Sequence, residues 1–332
     1  MAEPLGTATQ LTLSLAWAEG RIAAPRIGAP RVLAARLLQG RPADDAATLA
    51  PRLFTLCAAA QGSAARRALA AAAGNPLPPP DTAEQATLMA EMVGEHLWRL
   101  ALDWPTRLAT PPRQAALVAW RKHGRHQDWP GWADFSAPAL KLPPCATSAL
   151  PLLESLDARA WWQALAGDQD GAWGLAHCWN HLTALAAAPT LAGSPREAGA
   201  AARWQDHSEV AALWQAKRRP AARLRARCLE MEALGGGDWN PDWVDAHYPA
   251  PGIGIARVET ARGPLLHLVQ IKDGKVLRYV IVAPTEWNFH PAGAFVNDAA
   301  GLPAPTPQAA LDLARTLALS LDPCVAVALT LD

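Results

Sequence analysis

At Gly254 the hydrophobic rhythm of this chain changes from a helical period to an alternating one, and that switch restricts it to a mixed architecture. Downstream, residues 255–259, 265–271 and 276–282 each read as strands. Lys272-Asp273-Gly274-Lys275, between the last two, is a hairpin signal, because Asp-Gly tolerates the two positive φ angles that a tight two-residue turn needs. Upstream, residues 9–28 alternate loosely around Glu19-Gly20 and read as a short strand pair, whereas nearly everything between them and Gly254 is spaced for helices.

The helical part is punctuated by proline and glycine. Residues 34–74 are rich in Ala and Leu, with Pro42 and Pro51 as breaks. Asp81-Thr82-Ala83-Glu84 has capping-box spacing ahead of Leu88, Met92, Val93, Leu97 and Leu100, which predicts a core helix ending near Trp104-Pro105. Further helices fit 113–122, 151–166, 173–188, 206–218 and 221–234, with links at 136–151, 189–195 and 235–252. A helix from 306 to about 319 follows the strands. Asp322 as N-cap and Pro323 as first helical residue then predict one last short helix with Cys324 in its first turn. The fold class expected is mainly α with a small β component, an α+β protein.

Bulk properties exclude several classes of function. With 332 residues, 51% of them hydrophobic and 18% charged, the chain can build a sizeable core. Thirty basic side chains balance thirty acidic ones, so no net field gathers nucleic acid or an anionic membrane. No apolar run is long enough to span a bilayer, and Met1-Ala2-Glu3-Pro4-Leu5 lacks the basic-then-apolar start of a secretory signal. A cytoplasmic protein is expected, without membrane insertion. The five cysteines, at 57, 145, 178, 228 and 324, are an odd number spread widely and are expected to be reduced thiols.

Two of those cysteines sit in half-empty motifs. The end of the chain, Asp322-Pro323-Cys324 through Thr330, resembles the Asp-Pro-Cys-x-x-Cys-x-x-His motif of [NiFe]-hydrogenase large subunits, with Val327 and Thr330 in place of the second cysteine and the histidine. Gln39-Gly40-Arg41-Pro42 leading into Arg52 to Gln61 resembles G-R-x-P-x-x-A followed by R-x-C-G-x-C-x-x-x-H. Here Phe54 replaces the first cysteine and Gln61 the histidine, while Arg52 and Cys57 remain. Leu100 to Trp104 resembles the "ALDW" helix of the same family. Val258 to His267 resembles V-E-A-P-R-G-x-L-x-H, and Ile271 to Asn288 matches I-K-D-G-K followed by V-P-[ST]-x-W-N. The resemblance covers roughly 9–104 and 255–332, and its weight lies in the order of the motifs.

The combination resembles the HupK/HoxV type of hydrogenase maturation protein, a shortened relative of the large subunit. That resemblance implies a single large-subunit-like domain over 1–332, with N-terminal strands and helices carrying Cys57 (1–104), a divergent helical middle (105–250), and C-terminal strands and helix carrying Cys324 (251–332). It also implies a large-subunit-like helical core, with N- and C-terminal strands pairing in a small sheet. In the family pattern four thiolates hold nickel and two of them bridge to iron, so this chain offers two sulfurs at most and no nickel is expected. Low-spin Fe(II) that already carries three diatomic ligands has few open positions, and soft thiolates suit it. Cys57 aligns with a bridging position and Cys324 with a terminal nickel position. Arg262 and Thr285, with the peptide beside Pro284, align with the cyanide donors, and Leu265 with the apolar pocket around carbon monoxide. Both cysteines are expected in or near the first turn of a helix, where the partial positive charge lowers a thiol pKa.

The family's proton-transferring glutamate aligns with Ala35, and only Leu331-Asp332 follow Thr330, so neither hydrogen turnover nor a processed tail is expected. The resemblance implies a non-enzymatic scaffold that transiently holds an Fe(CN)2CO unit. Its partners would be maturation chaperones, iron-cyanide assembly proteins and the hydrogenase large-subunit precursor. A metal-free protein that docks assembly partners by mimicking the large subunit, or a degenerate subunit of an electron-transfer complex, are the alternatives.

Other features carry less. His177 and His181 at i and i+4 on a helix lack the partners of a zinc motif and read as structural. Lys217, Arg218, Arg219, Arg223, Arg225 and Arg227 read as a solvated helix face. Of the fifteen tryptophans, Trp129 and Trp132 read as an exposed pair in a loop.

Overall fold

A computed structural model describes residues 10–28, 34–54, 56–124, 128–166 and 172–332; within 172–187 it describes the side chains of Trp179 and of 181–187 only. The architecture is α+β, with two small sheets embedded in helices. Strands β1 (Gln10–Ala18) and β2 (Arg21–Gly28) form the hairpin expected around Glu19-Gly20, both of which take positive φ. Strands β3 (Val244–Ala250), β4 (Ile253–Thr260), β5 (Gly263–Lys272) and β6 (Lys275–Val282) form an antiparallel meander, with Asp273-Gly274 turning between β5 and β6 as its sequence predicts.

The meander is covered on both faces, which is why β4 is buried along its whole length. Ala256, Val258, Leu265 and Val269 face the helix Ala58–Ala72, whose Ala60, Ala64, Ala65 and Ala68 bring its backbone close to the sheet. Contact is closest at Gly254, where any Cβ would collide with the Ala68 carbonyl and the Ala72 amide. Ile253, Ile255, Leu266, Leu268, Val280 and Val282 point the other way, onto Trp161 of the helix Ala158–Ala166 and Trp179 and Leu182 of the helix Ala172–Ala187. Part of the middle third, which resembled nothing in sequence, thus forms the second cover of the sheet.

The chain ends differently from its sequence reading. Asp322 is not the N-cap of a last helix; it is the left-handed C-cap (φ 52) of the helix Pro307–Leu321. Residues 326–331 form strand β7 (Ala326–Leu331), parallel to β1, giving a sheet ordered β2-β1-β7. N- and C-terminal strands therefore do meet in a small sheet, but the C-terminal partner is the segment read as helix. Val327, Leu329 and Leu331 alternate with smaller or polar residues and pack with Leu11, Leu13 and Leu15, so strand periodicity outweighs the Asp-Pro start signal.

Three other expectations change. The Asp81-capped helix (Thr82–Trp98) starts as read, with the Asp81 carboxylate accepting from the Glu84 amide at 2.8 Å, but it does not stop at Pro105. A π-helical turn at Arg99–Asp103 restarts the hydrogen-bond register. Pro105 then falls in the first turn of the segment Trp104–Leu108, where a missing N–H costs nothing. The link read at 235–252 contains β3. Trp129 and Trp132 are half-buried against the core formed by the Asp81-capped helix and the helix Arg219–Gly235, and Trp132 opens the helix Trp132–Ala139. Among the described residues, no helix is long and apolar enough to cross a membrane.

Candidate functional site

The residues singled out from the sequence come from four distant segments. Cys57 is the N-cap of the helix Ala58–Ala72. Two amides of that helix's first turn, from Ala59 and Ala60, donate to the Glu91 carboxylate at 2.7 and 3.0 Å, so Glu91 of the Asp81-capped helix anchors the turn that carries the thiol. The Cys57 side chain packs against the apolar cluster to which Ala60, Leu88, Val258 and Leu265 belong.

Arg262 is presented by the β4–β5 turn. There the Thr260 hydroxyl donates to the Gly263 carbonyl at 2.9 Å and accepts from the Arg262 amide at 3.2 Å. Gly263 takes a φ of 123° and would drive a Cβ to within 2.8 Å of the Ala198 methyl, so glycine is required there. Arg262 Nη2 meets Glu95 at 2.6 Å, and Nε donates to the Asp322 carbonyl at 3.0 Å. Its Nη1 has no partner among the described residues. Glu259, on the preceding strand, is taken by Arg203 at 2.9 Å.

Pro284 and Thr285 open the short helix Pro284–Asn288, both buried. The Thr285 hydroxyl donates to Cys324 Sγ at 3.1 Å and accepts from the Cys324 amide at 3.2 Å. Cys324 itself lies in the turn before β7 and not in the first turn of a helix, so the position expected for it is corrected.

The Asp322 carboxylate holds that turn. Arg99 reaches it at 2.6 Å, Arg227 at 3.2 Å and Arg262 at 3.4 Å. Burial pushes the carboxyl up, but Arg262, Arg227 and Arg99 together outweigh burial and hold it well below the usual carboxylate range. The basic run read as a solvated face is therefore corrected. Arg219, Arg223 and Arg227 repeat every four residues along one buried face of the helix Arg219–Gly235. They pair with Asp298, with Glu197 and Asp298, and with Asp322. Sequence spacing at i, i+4, i+8 was the available signal; partners 26 to 95 residues away were not visible in it.

A small pocket is bounded by Cys57, Leu88, Glu91, Glu95, Glu259 and Arg262. Arg262 also lines a second small pocket, shared with Arg223, Arg227, Asn288 and Ser320. Burial first, then the nearby Cys324 and Glu91, push the Cys57 thiol up to about 12, against the opposing pull of Arg262 and a hydrogen bond from Gln61. The lowering expected from a helix N-terminus is overridden, because a dipole worth ~0.3–1 kcal/mol is small beside desolvation. Cys145 and Cys228 are pushed up to about 11 and about 12, chiefly by burial, and serve as core thiols. The side chains of Cys178 and His177 lie outside the described residues, and His181 is exposed. Among the described residues, no group of three or more His, Cys, Asp or Glu side chains is arranged to hold a metal ion.

Residues 214–330 match the family described as nickel-dependent hydrogenase. The hydrogenase expression/formation protein HupK of Rhizobium leguminosarum bv. viciae is 34% identical over 329 residues, covering 86% of each chain. HoxV of Cupriavidus necator, of the same description, is 32% identical over 359 residues, covering 86% of this chain and 87% of that one. In fold the chain is similar to the [NiFeSe]-hydrogenase of Dm. baculatum, with a TM-score of 0.59 at 14% identity over 93% of this chain and 94% of that one.

Proposed function

The chain belongs to the HupK/HoxV family of hydrogenase expression/formation proteins, and from that premise we propose that it is a non-enzymatic maturation scaffold that transiently holds an Fe(CN)2CO unit for a hydrogenase large subunit. The observation that carries this reading is the convergence of Cys57, Leu265, Arg262, Thr285 and Cys324, from segments far apart in sequence, on one region around Arg262. The iron unit is cargo. It arrives with three diatomic ligands of its own, so two protein sulfurs complete a workable set, and soft thiolates suit the metal.

The chain's own residues supply the rest. Arg262 Nη1 is a guanidinium donor for a cyanide nitrogen, held in place because Nε and Nη2 are fixed by Asp322 and Glu95. Leu265 gives an apolar wall, and Pro284 sets the turn that aims Thr285. Thr285 grips Cys324, so loading the iron means exchanging the hydroxyl bond to that sulfur for a bond to metal. Nickel, which needs four thiolates in the family pattern, is not part of the proposal. Val327 packs against the core of the small sheet, and Phe54 replaces the other cysteine. Maturation chaperones, iron-cyanide assembly proteins and the large-subunit precursor, in the cytoplasm, are the partners this role requires.

A metal-free assembly role is the second reading. It is favoured by the absence, among the described residues, of any grouping of three metal-ligating side chains. Infrared spectroscopy separates the two, on protein purified without oxygen from cells carrying the full maturation machinery. Cyanide and carbonyl bands that vanish in Cys57→Ser support the scaffold. Their absence, with partners still co-purifying, sinks it in favour of the second reading, and stoichiometric nickel overturns both.

A further inference from the structure

Behind Cys57 runs a buried file of hydrogen bonds that iron holding alone does not explain. Gln61 Nε2 lies 3.7 Å from Cys57 Sγ, and Gln61 Oε1 lies 2.8 Å from His267 Nε2. His267 Nδ1 lies 2.7 Å from the Tyr279 hydroxyl. Gln61 belongs to the first turn of the helix Ala58–Ala72, His267 to β5 and Tyr279 to β6. All three side chains are buried, Gln61 and His267 almost completely.

The direction of the file follows from which proton each atom can carry. Burial pushes the Tyr279 phenol far above its ordinary value, so it keeps its proton; burial likewise holds the His267 imidazole down at about 3, so it stays neutral. His267 is the hydroxyl's sole hydrogen-bond partner among the described residues, and a buried O–H without an acceptor is costly, so Tyr279 donates. His267 Nδ1 is then the acceptor and its ring proton sits on Nε2. That N–H donates to Gln61 Oε1, which turns the NH2 end of the amide towards Cys57. The orientation of Gln61 is thus set two residues away, by a tyrosine that never touches the cysteine.

We infer that Gln61 is a positioning residue for Cys57, locked by His267 and Tyr279 so that an uncharged N–H donor faces the sulfur and fixes where it points. This deepens the iron-holding reading and rests on it for its purpose, while its geometry concerns the cysteine alone. A donor without charge holds the sulfur and leaves the total charge of the cavity unchanged. Glutamine at a position where the family pattern has histidine provides it without titrating.

Two measurements on the metal-free chain test the inference. Nitrogen NMR of His267 is expected to show the Nε2–H tautomer with Nδ1 bare; an Nδ1–H tautomer, or an imidazolium near neutral pH, overturns it. Alkylation of Cys57 by iodoacetamide at fixed pH, resolved by peptide mass spectrometry with Cys324 as internal reference, is expected to slow roughly threefold to tenfold in Gln61→Leu. An unchanged Cys57 rate overturns it. Should Gln61→Leu fail to fold, Tyr279→Phe, which keeps the ring, decides the matter: it is expected to release the His267 tautomer and slow Cys57 alkylation, and leaving both unchanged overturns the inference. Missing infrared bands in loaded protein sink the iron reading and leave this result standing; a wrong tautomer does the reverse.

Discussion

Thr285 and Cys324 are joined twice: the hydroxyl donates to the sulfur at 3.1 Å and accepts from the amide of the same residue at 3.2 Å. One side chain therefore fixes both the backbone and the thiol of the Asp-Pro-Cys turn. Thr285→Val, close to isosteric, leaves the Cys324 amide without an acceptor. It is expected to cost ~1–3 kcal/mol in urea unfolding and to speed hydrogen exchange at that amide. Thr285→Ser, which keeps the oxygen, is expected to restore most of both.

Asp322→Asn removes the charge shared by Arg99, Arg227 and Arg262 and leaves buried guanidinium groups uncompensated. Breaking a buried pair from one side typically costs ~3–5 kcal/mol, and three arginines depend on this one carboxylate. Equilibrium unfolding is expected to show a loss of at least that size, with Arg99→Met, which removes the most exposed of the three arginines, costing less.

Gly254→Ala places a methyl group into the backbone of the helix Ala58–Ala72 at Ala68 and Ala72. No side chain can yield there, because both atoms are main chain. The substitution is expected to cost ~3 kcal/mol or more, or to prevent folding, and circular dichroism with thermal melting reads the outcome.

Acid weakens the fold partly through His267, whose ordinary value of 6.5 falls to about 3 on burial. Between those values the unfolded chain binds a proton that the folded chain refuses, so stability falls as pH drops, by up to ~1.4 kcal/mol per pH unit. Unfolding midpoints measured from pH 7 to pH 3 are expected to flatten in His267→Gln over that window. Glu230, held at about 2 by Arg203 and His96 against the upward push of burial, adds a loss in the same direction below its ordinary value of 4.5.

Much of the frame was legible because its signals are local. The Asp273-Gly274 hairpin, the Asp81 cap and the alternating strands of the meander each depend on residues a few positions apart. What sequence missed depends on distant partners. Asp322-Pro323 carries a helix-start signal, yet three arginines and pairing with β1 make it a helix end followed by a strand. Arg219, Arg223 and Arg227 have the composition of a solvated face and become buried only because Glu197, Asp298 and Asp322 come to meet them. At the site, Cys57, Arg262, Thr285 and Cys324 could be chosen from motifs, and Gln61 stood in one of them only as a replaced histidine, whereas Glu91 and Glu95 lie in no recognisable pattern with the groups they hold.

The parallel pairing of β1 with β7 also sets the order in which the protein becomes competent during synthesis. β7 is made hundreds of residues after the strand it joins, and the Cys324 turn lies just ahead of it. A nascent chain already contains Cys57, its capping Glu91, and Arg262 while Thr285 still has no sulfur to grip and Arg99 no carboxylate. Cys57 and Cys324 come together only once the end of the chain has been made, so a ribosome-stalled or prematurely terminated product is a frame with one arm.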